Sequence, residues 1–169
     1  VASGAADAGP SKPDPWLTGA AMVSGQVRPL GVAHPDDPDV ILGTEADLAR
    51  CADLGVTAVV SLSRLGIPDI KAAGVAPDRH AEVWLIDSDD PADNADLAWT
   101  LTDAARTVAA FRDSGDRVLL HCVAAHHRTP SVALVYSRLR GAAPGASERI
   151  EAALSSPVSG LLWRTAQKS

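Results

Sequence analysis

Apolar positions along this chain fall into short blocks with two different periods. Val56-Thr57-Ala58-Val59-Val60-Ser61-Leu62 is a β-branched run that predicts a buried strand. Val83 to Ile86 and Arg117 to His121 predict two more, and Val40 to Leu42 a fourth. A further strand is predicted from Met22 to Arg28, separated from Val40 by the Pro- and Asp-rich stretch HPDDPD. Between these runs the spacing becomes helical. TEADLARCADLG places Leu48, Cys51 and Leu54 on one face, with Thr44 as N-cap and Gly55 as terminator. Leu97, Leu101, Ala104, Ala105, Val108 and Phe111 line a long helix that runs to about Asp113, capped by Asn94 or by its neighbours Asp93 and Asp96. Thr129-Pro130 opens another helix that continues from Ser131 to Arg140, and Glu148 to Leu154 and Leu161 to Gln167 predict two short ones. Helix and strand alternate, so the fold class is α/β: a central mixed sheet flanked by helices.

Composition narrows what such a fold can do. A chain of 169 residues suits one domain, expected over residues 16–169 behind a Gly-, Ala- and Pro-rich tail at 1–15. The tail and the start at Val1 suggest a piece of a larger multidomain chain. The formal net charge of −6 gives no electrostatic case for binding nucleic acid, so an anion would need a local positive site. No apolar run is long enough for a membrane-spanning helix. Two cysteines, Cys51 and Cys122, fit a reducing compartment better than a disulfide framework, and the cytoplasm is the expected location.

The candidate chemistry sits in HCVAAHHRTP, residues 121–130, at the predicted strand–loop–helix turn. A helix N-terminus favours an anion and biases a nearby Cys toward thiolate. Arg128 adds a planar fork suited to two phosphate oxygens. The backbone N–H groups of Val123, Ala124, Ala125, His126 and His127 can form a nest around the same anion. Cys122 and Arg128 can therefore share one dianionic ligand. A phosphate ester also needs an acid for its leaving oxygen, and DSDDPADN offers Asp90, 32 residues before Cys122, with Asp87 and Asp89 beside it. Thr129 is placed to hydrogen-bond a departing thiolate. A zinc site from His121, Cys122, His126 and His127 is the competing chemistry, but its spacing matches no common structural pattern. Cys51, on an apolar helical face, reads as core; Arg64 and Lys71 read as surface residues within reach of substrate.

HCVAAHHRT fits the H-C-x5-R-[S/T] signature of the cysteine-dependent protein tyrosine phosphatase superfamily, and the element order from Val40 to Arg140 resembles its dual-specificity branch. That resemblance implies Cys122 as nucleophile, Arg128 as phosphate binder, Thr129 as the hydroxyl assisting dephosphorylation, Asp90 as general acid, and His121 as a brace for the loop that helps hold the Cys as thiolate. It implies no metal and no cofactor. The implied substrate is a phosphorylated protein, phosphotyrosine before phosphoserine or phosphothreonine, or else a small phosphate ester such as a phosphoinositide, sugar phosphate or nucleotide. A phosphate-binding module without turnover is the other outcome. Phosphatase domains with HCVAA and RTP segments also occur attached to ADP-ribosylglycohydrolase-like domains in some bacterial proteins. Two departures stand out. Many members carry Gly where this chain has Ala125, so a positive φ there would be strained. His126 and His127 would sit on the rim and add charge at mildly acidic pH.

Overall fold

Short runs of Val, Ile and Leu with no polar face must be covered on both sides, and they become the middle of the sheet. In the computed structural model, which describes residues 27–169, the strands are β1 (Val32–His34), β2 (Asp37–Gly43), β3 (Ala58–Ser61), β4 (His80–Glu82) and β5 (Val118–His121). A 3₁₀ segment (Glu45–Arg50) follows β2, and the helices are α1 (Ile67–Ala73), α2 (Leu97–Asp113), α3 (Arg128–Leu139), α4 (Ala146–Leu154) and α5 (Leu161–Lys168). The sheet order is β1-β2-β5-β3-β4, with β1 antiparallel to β2 and every other pairing parallel. This is the mixed, helix-flanked sheet that the alternation predicts.

The two faces bury different clusters. Val40, Leu42, Ala58, Val60, Val118 and Leu120 meet α2, α3, α4 and α5 through Leu101, Val108, Val132, Ile150 and Trp163. Ile41, Val59 and Leu119 point to the other face, under Leu48, Cys51, Val56 and Ala73. Cys51 is core, as its pattern implies, and burial with the nearby Asp47 charge pushes its thiol up to about 11.

Several local expectations shift. The predicted strand from Met22 and the tail at 1–15 lie outside the described residues, and Val27 and Arg28 have no regular structure. HPDDPD spans a hairpin rather than a loop between distant strands: His34 ends β1, Pro35 and Asp36 turn, and Asp37 opens β2. There Arg149 and Ser137 hold Asp36, while Tyr136 and Arg112 hold Asp37. Residues 44–55 form the 3₁₀ segment and turns instead of an α-helix. Asp47 N–H bonds Thr44 O, and Cys51 N–H bonds Leu48 O, three residues back rather than four. The strand expected at 83–86 lies earlier, at His80–Glu82, because its partner β3 ends at Ser61. Val83 N–H makes a last bond to Ser61 O at 2.8 Å. Asn94 is not a cap: its side-chain amide clasps the Ile86 N–H and C=O at 3.0 and 2.9 Å, and Asp96 caps α2. α3 begins at Arg128, one residue before the Thr-Pro pair.

Asp47 ties the 3₁₀ segment to the chain that enters the domain. It is fully buried, accepts N–H groups of Leu30, Gly31 and Thr44 at 2.9, 3.1 and 2.9 Å, and receives Arg50 Nη1 at 2.8 Å. Replacing it would strand three backbone donors. Asp47→Ala is expected to lower the unfolding free energy by about 3 kcal/mol. Urea denaturation should show this as a lower midpoint at unchanged slope.

Candidate active site

β5 delivers the chain to its loop at the carboxyl edge of the parallel strands, where crevices form in open α/β sheets. Cys122 is buried at 2% exposure, and its Sγ accepts the Ala125 N–H and the Thr129 hydroxyl, each at 3.2 Å. Around it the carbonyls are tied away from the sulfur. His121 Nδ1 lies 3.1 Å from Cys122 O, Glu45 N–H bonds Val123 O at 3.1 Å, and Ser131 N–H and Oγ both reach His127 O, at 3.1 and 2.6 Å. Because a peptide is planar, tying those oxygens sends the N–H of the next residue the opposite way. Ala125 takes φ 58°, the left-handed region its side chain disfavours.

Arg128, at 2% exposure, is the largest of the fully buried side chains. Its Nη1 donates to the carbonyls of Leu62 and Leu85, both at 3.3 Å, which close the ends of two neighbouring chain segments. Its Nε is buried without a hydrogen-bond partner. Among the described residues no carboxylate forms an ion pair with it. The guanidinium is thus oriented by neutral groups, with the Glu45 carboxylate near enough to interact with it but not in ion-pair contact, an arrangement that leaves it able to receive an anion.

The acidic segment splits its three candidates. Asp87 accepts His127 Nδ1–H at 3.1 Å, and this carboxylate holds the imidazole above its ordinary pKa against the opposing effect of burial. Asp89 accepts the Leu161 N–H at 2.7 Å. Asp90 turns back on its own loop and accepts the Ala92 N–H at 2.9 Å. A hollow of about 220 Å³ is lined by Asp87, Asp89, His127, Gly160 and Leu161 among others. His126 faces a separate, smaller hollow of about 130 Å³ beside Ala124, Ala125, Leu30 and Pro157. The two loop histidines therefore border different spaces.

His121 points the other way, into the core, where it is wholly buried and held down to about 4, first by burial, so that it is neutral. Its Nε2 meets Ser61 Oγ at 2.6 Å. With His121 turned to Ser61 and His127 turned to Asp87, the set proposed for zinc does not converge, and no group of three metal-ligating side chains is found among the described residues. Arg64 stacks over the Trp84 ring at 5.0 Å, and Lys71 lies exposed on α1. Sequence patterning misses Ser61, Glu45, Leu161 and the carbonyls of Leu62 and Leu85. Their contributions are a strand hydroxyl and backbone groups, which carry no motif.

No protein-family model matches the chain, and no curated protein matches it either. Solved structures do. A variant of human DUSP28 is 27% identical with a TM-score of 0.63, covering 81% of this chain and 91% of its own. A mouse protein described as a putative dual specificity phosphatase, in complex with zinc tungstate, is 26% identical with a TM-score of 0.65 over 85% of this chain and 88% of its own. Tk-PTP, at 19% identity and a TM-score of 0.58, shares the fold over 76% of this chain and 88% of its own. Among the described residues no helix is long and apolar enough to cross a membrane. Over most of its length the chain therefore resembles dual-specificity-like protein tyrosine phosphatases in fold.

Proposed function

We propose that the protein is a phosphatase that hydrolyses phosphate monoesters, phosphotyrosine in proteins first, through a cysteinyl-phosphate on Cys122. The observation that carries this reading is the pairing of a sulfur that accepts two hydrogen bonds with a buried, unpartnered Arg128 Nε on one loop. The thiolate attacks phosphorus as the P–O bond to the leaving group breaks, and a carboxylic acid gives that oxygen its proton. Water then attacks the phosphocysteine and returns a proton to the same carboxylate. The departing sulfur leaves as thiolate, with the Thr129 hydroxyl and the Ala125 N–H to receive its charge. Arg128 holds two non-bridging oxygens throughout, and the N–H groups of the loop from Val123 to His127 surround the third.

The acid comes from residues 87–90. The sequence points first to Asp90, while Asp89 is the carboxylate that lines the hollow beside His127 and is not committed to a side-chain cation. We assign the acid to Asp89, with Asp87 as the partner that fixes His127. Hydrolysis of an aryl phosphate by Asn variants at the three positions decides this. Cys122→Ser should abolish turnover. Asp89→Asn should lower kcat by about a hundredfold, within the range for one acid–base group. Asp90→Asn and Asp87→Asn should each cost far less; a loss concentrated at Asp90 would return the acid to that residue. A chelator is expected to leave the rate unchanged, and loss of activity on chelation would overturn the metal-free mechanism.

Ala125 is the strained member of the loop. Ala125→Gly should raise stability by about 1 kcal/mol, since glycine accepts a positive φ without the Cβ penalty. Thermal unfolding at matched pH checks this.

The His127–Asp87 pair has a defined pH window. A histidine whose folded pKa is raised contributes stability that is full below its unfolded value, near 6.5, and lost as pH rises through the folded one. The difference in Tm between wild type and Asp87→Asn should therefore shrink on going from pH 6 to pH 9. The His127 titration, followed by NMR, should move down in Asp87→Asn.

A further inference from the structure

Three side chains from three adjacent strands meet in one row beneath the loop. Ser61 closes β3, His80 opens β4 and His121 closes β5. Ser61 Oγ lies 2.6 Å from His121 Nε2 and 2.9 Å from His80 Nε2, and His121 Nδ1 lies 3.1 Å from the Cys122 carbonyl oxygen. The proton positions follow from what each group can do. A carbonyl only accepts, so His121 Nδ1 carries a hydrogen. The ring is wholly buried and neutral, so its Nε2 holds a lone pair and accepts the Ser61 hydroxyl proton. The Ser61 oxygen is then an acceptor, and His80 Nε2–H donates to it whether His80 is neutral or protonated. Every bond in the row points the same way, from His80 through Ser61 and His121 to the Cys122 carbonyl.

We propose that Ser61 and His80 are positioning residues for Cys122, forming a proton-ordered relay that selects the His121 tautomer and with it the orientation of the Cys122 peptide. His121 in its Nδ1–H form pulls the carbonyl toward the core. The opposite tautomer would set a ring lone pair against a carbonyl lone pair at the same distance, and the peptide would turn. Planarity would carry the Val123 N–H with it, removing one donor from the anion-facing side of the loop and disturbing the setting of the sulfur. Ser61 thus acts without touching substrate, and His80, half-buried on the edge strand, acts one step further away.

The effect on turnover rests on the phosphatase reading above, but the relay can be tested without turnover. Long-range ¹H–¹⁵N spectra of the wild-type protein should show His121 protonated at Nδ1; an Nε2–H tautomer would overturn the proposal. Alkylation of Cys122 by iodoacetamide, followed by mass spectrometry across pH, reads the thiolate directly. Cys51, buried and raised to about 11, stays nearly silent. Ser61→Ala should move the Cys122 alkylation midpoint to higher pH and lower kcat on para-nitrophenyl phosphate about tenfold, with KM within about twofold, the scale of one lost hydrogen bond acting on the reacting group. His80→Leu should fall between Ser61→Ala and wild type. His80→Gln, which keeps an N–H donor near the position of Nε2, should restore both readouts. A folded Ser61→Ala with an unchanged alkylation midpoint overturns the relay; should that variant fail to fold, equal midpoints in His80→Leu and His80→Gln overturn it instead. Absence of turnover in wild type would sink the phosphatase reading alone, leaving the alkylation and tautomer results to judge the relay.

Discussion

A guanidinium buried without an ion-pair partner is the constraint around which this molecule is arranged. Desolvating Arg128 costs several kcal/mol that two carbonyl contacts at 3.3 Å do not fully offset. The fold tolerates it because the rest of the domain holds the side chain in place. The carbonyls come from Leu62 and Leu85, next to β3 and β4, and the Arg backbone is the first residue of α3. Strand order brings those ends together: β5 lies beside β3, and β3 beside β4. A change in register that moved either carbonyl would expose the charge to an apolar core with no partner. Sheet topology and the setting of the guanidinium are therefore a single requirement met by one side chain.

The same requirement shapes the loop's strain. The Cys122 and Val123 carbonyls are tied away from the sulfur by His121 and Glu45, and Ala125 closes the turn at φ 58°. Alanine is an uncommon residue for that conformation, and its persistence shows how strongly the surrounding bonds determine the backbone. The N–H of Ala125 points at the sulfur as a result. Local strain and the placement of the Cys122 sulfur have a common origin.

Much of this was legible in the residues. HCVAAHHRT is contiguous, so one short loop carries its own spacing, and the β-branched run at 56–62 and the apolar run at 118–120 declare the strands that flank it. What could not be read came from pairing between distant segments. Val83 to Ile86 has strand composition, but the end of β3 decides where pairing stops, and Asn94 rather than a neighbouring strand satisfies Ile86. TEADLARCADLG has helical spacing, yet the buried Asp47 carboxylate draws N–H groups from outside the segment and the turns tighten to 3₁₀. Asp87, Asp89 and Asp90 are indistinguishable as letters. Only His127 and the Leu161 N–H separate them.

The bond from Leu161 N–H to Asp89 joins two distant parts of the chain. An ionised carboxylate is a strong acceptor for an amide proton, so the backbone at the start of α5 fixes where this side chain sits. The last helix of the domain, remote from the signature in sequence and carrying no motif of its own, thereby helps to set the geometry of the acidic segment.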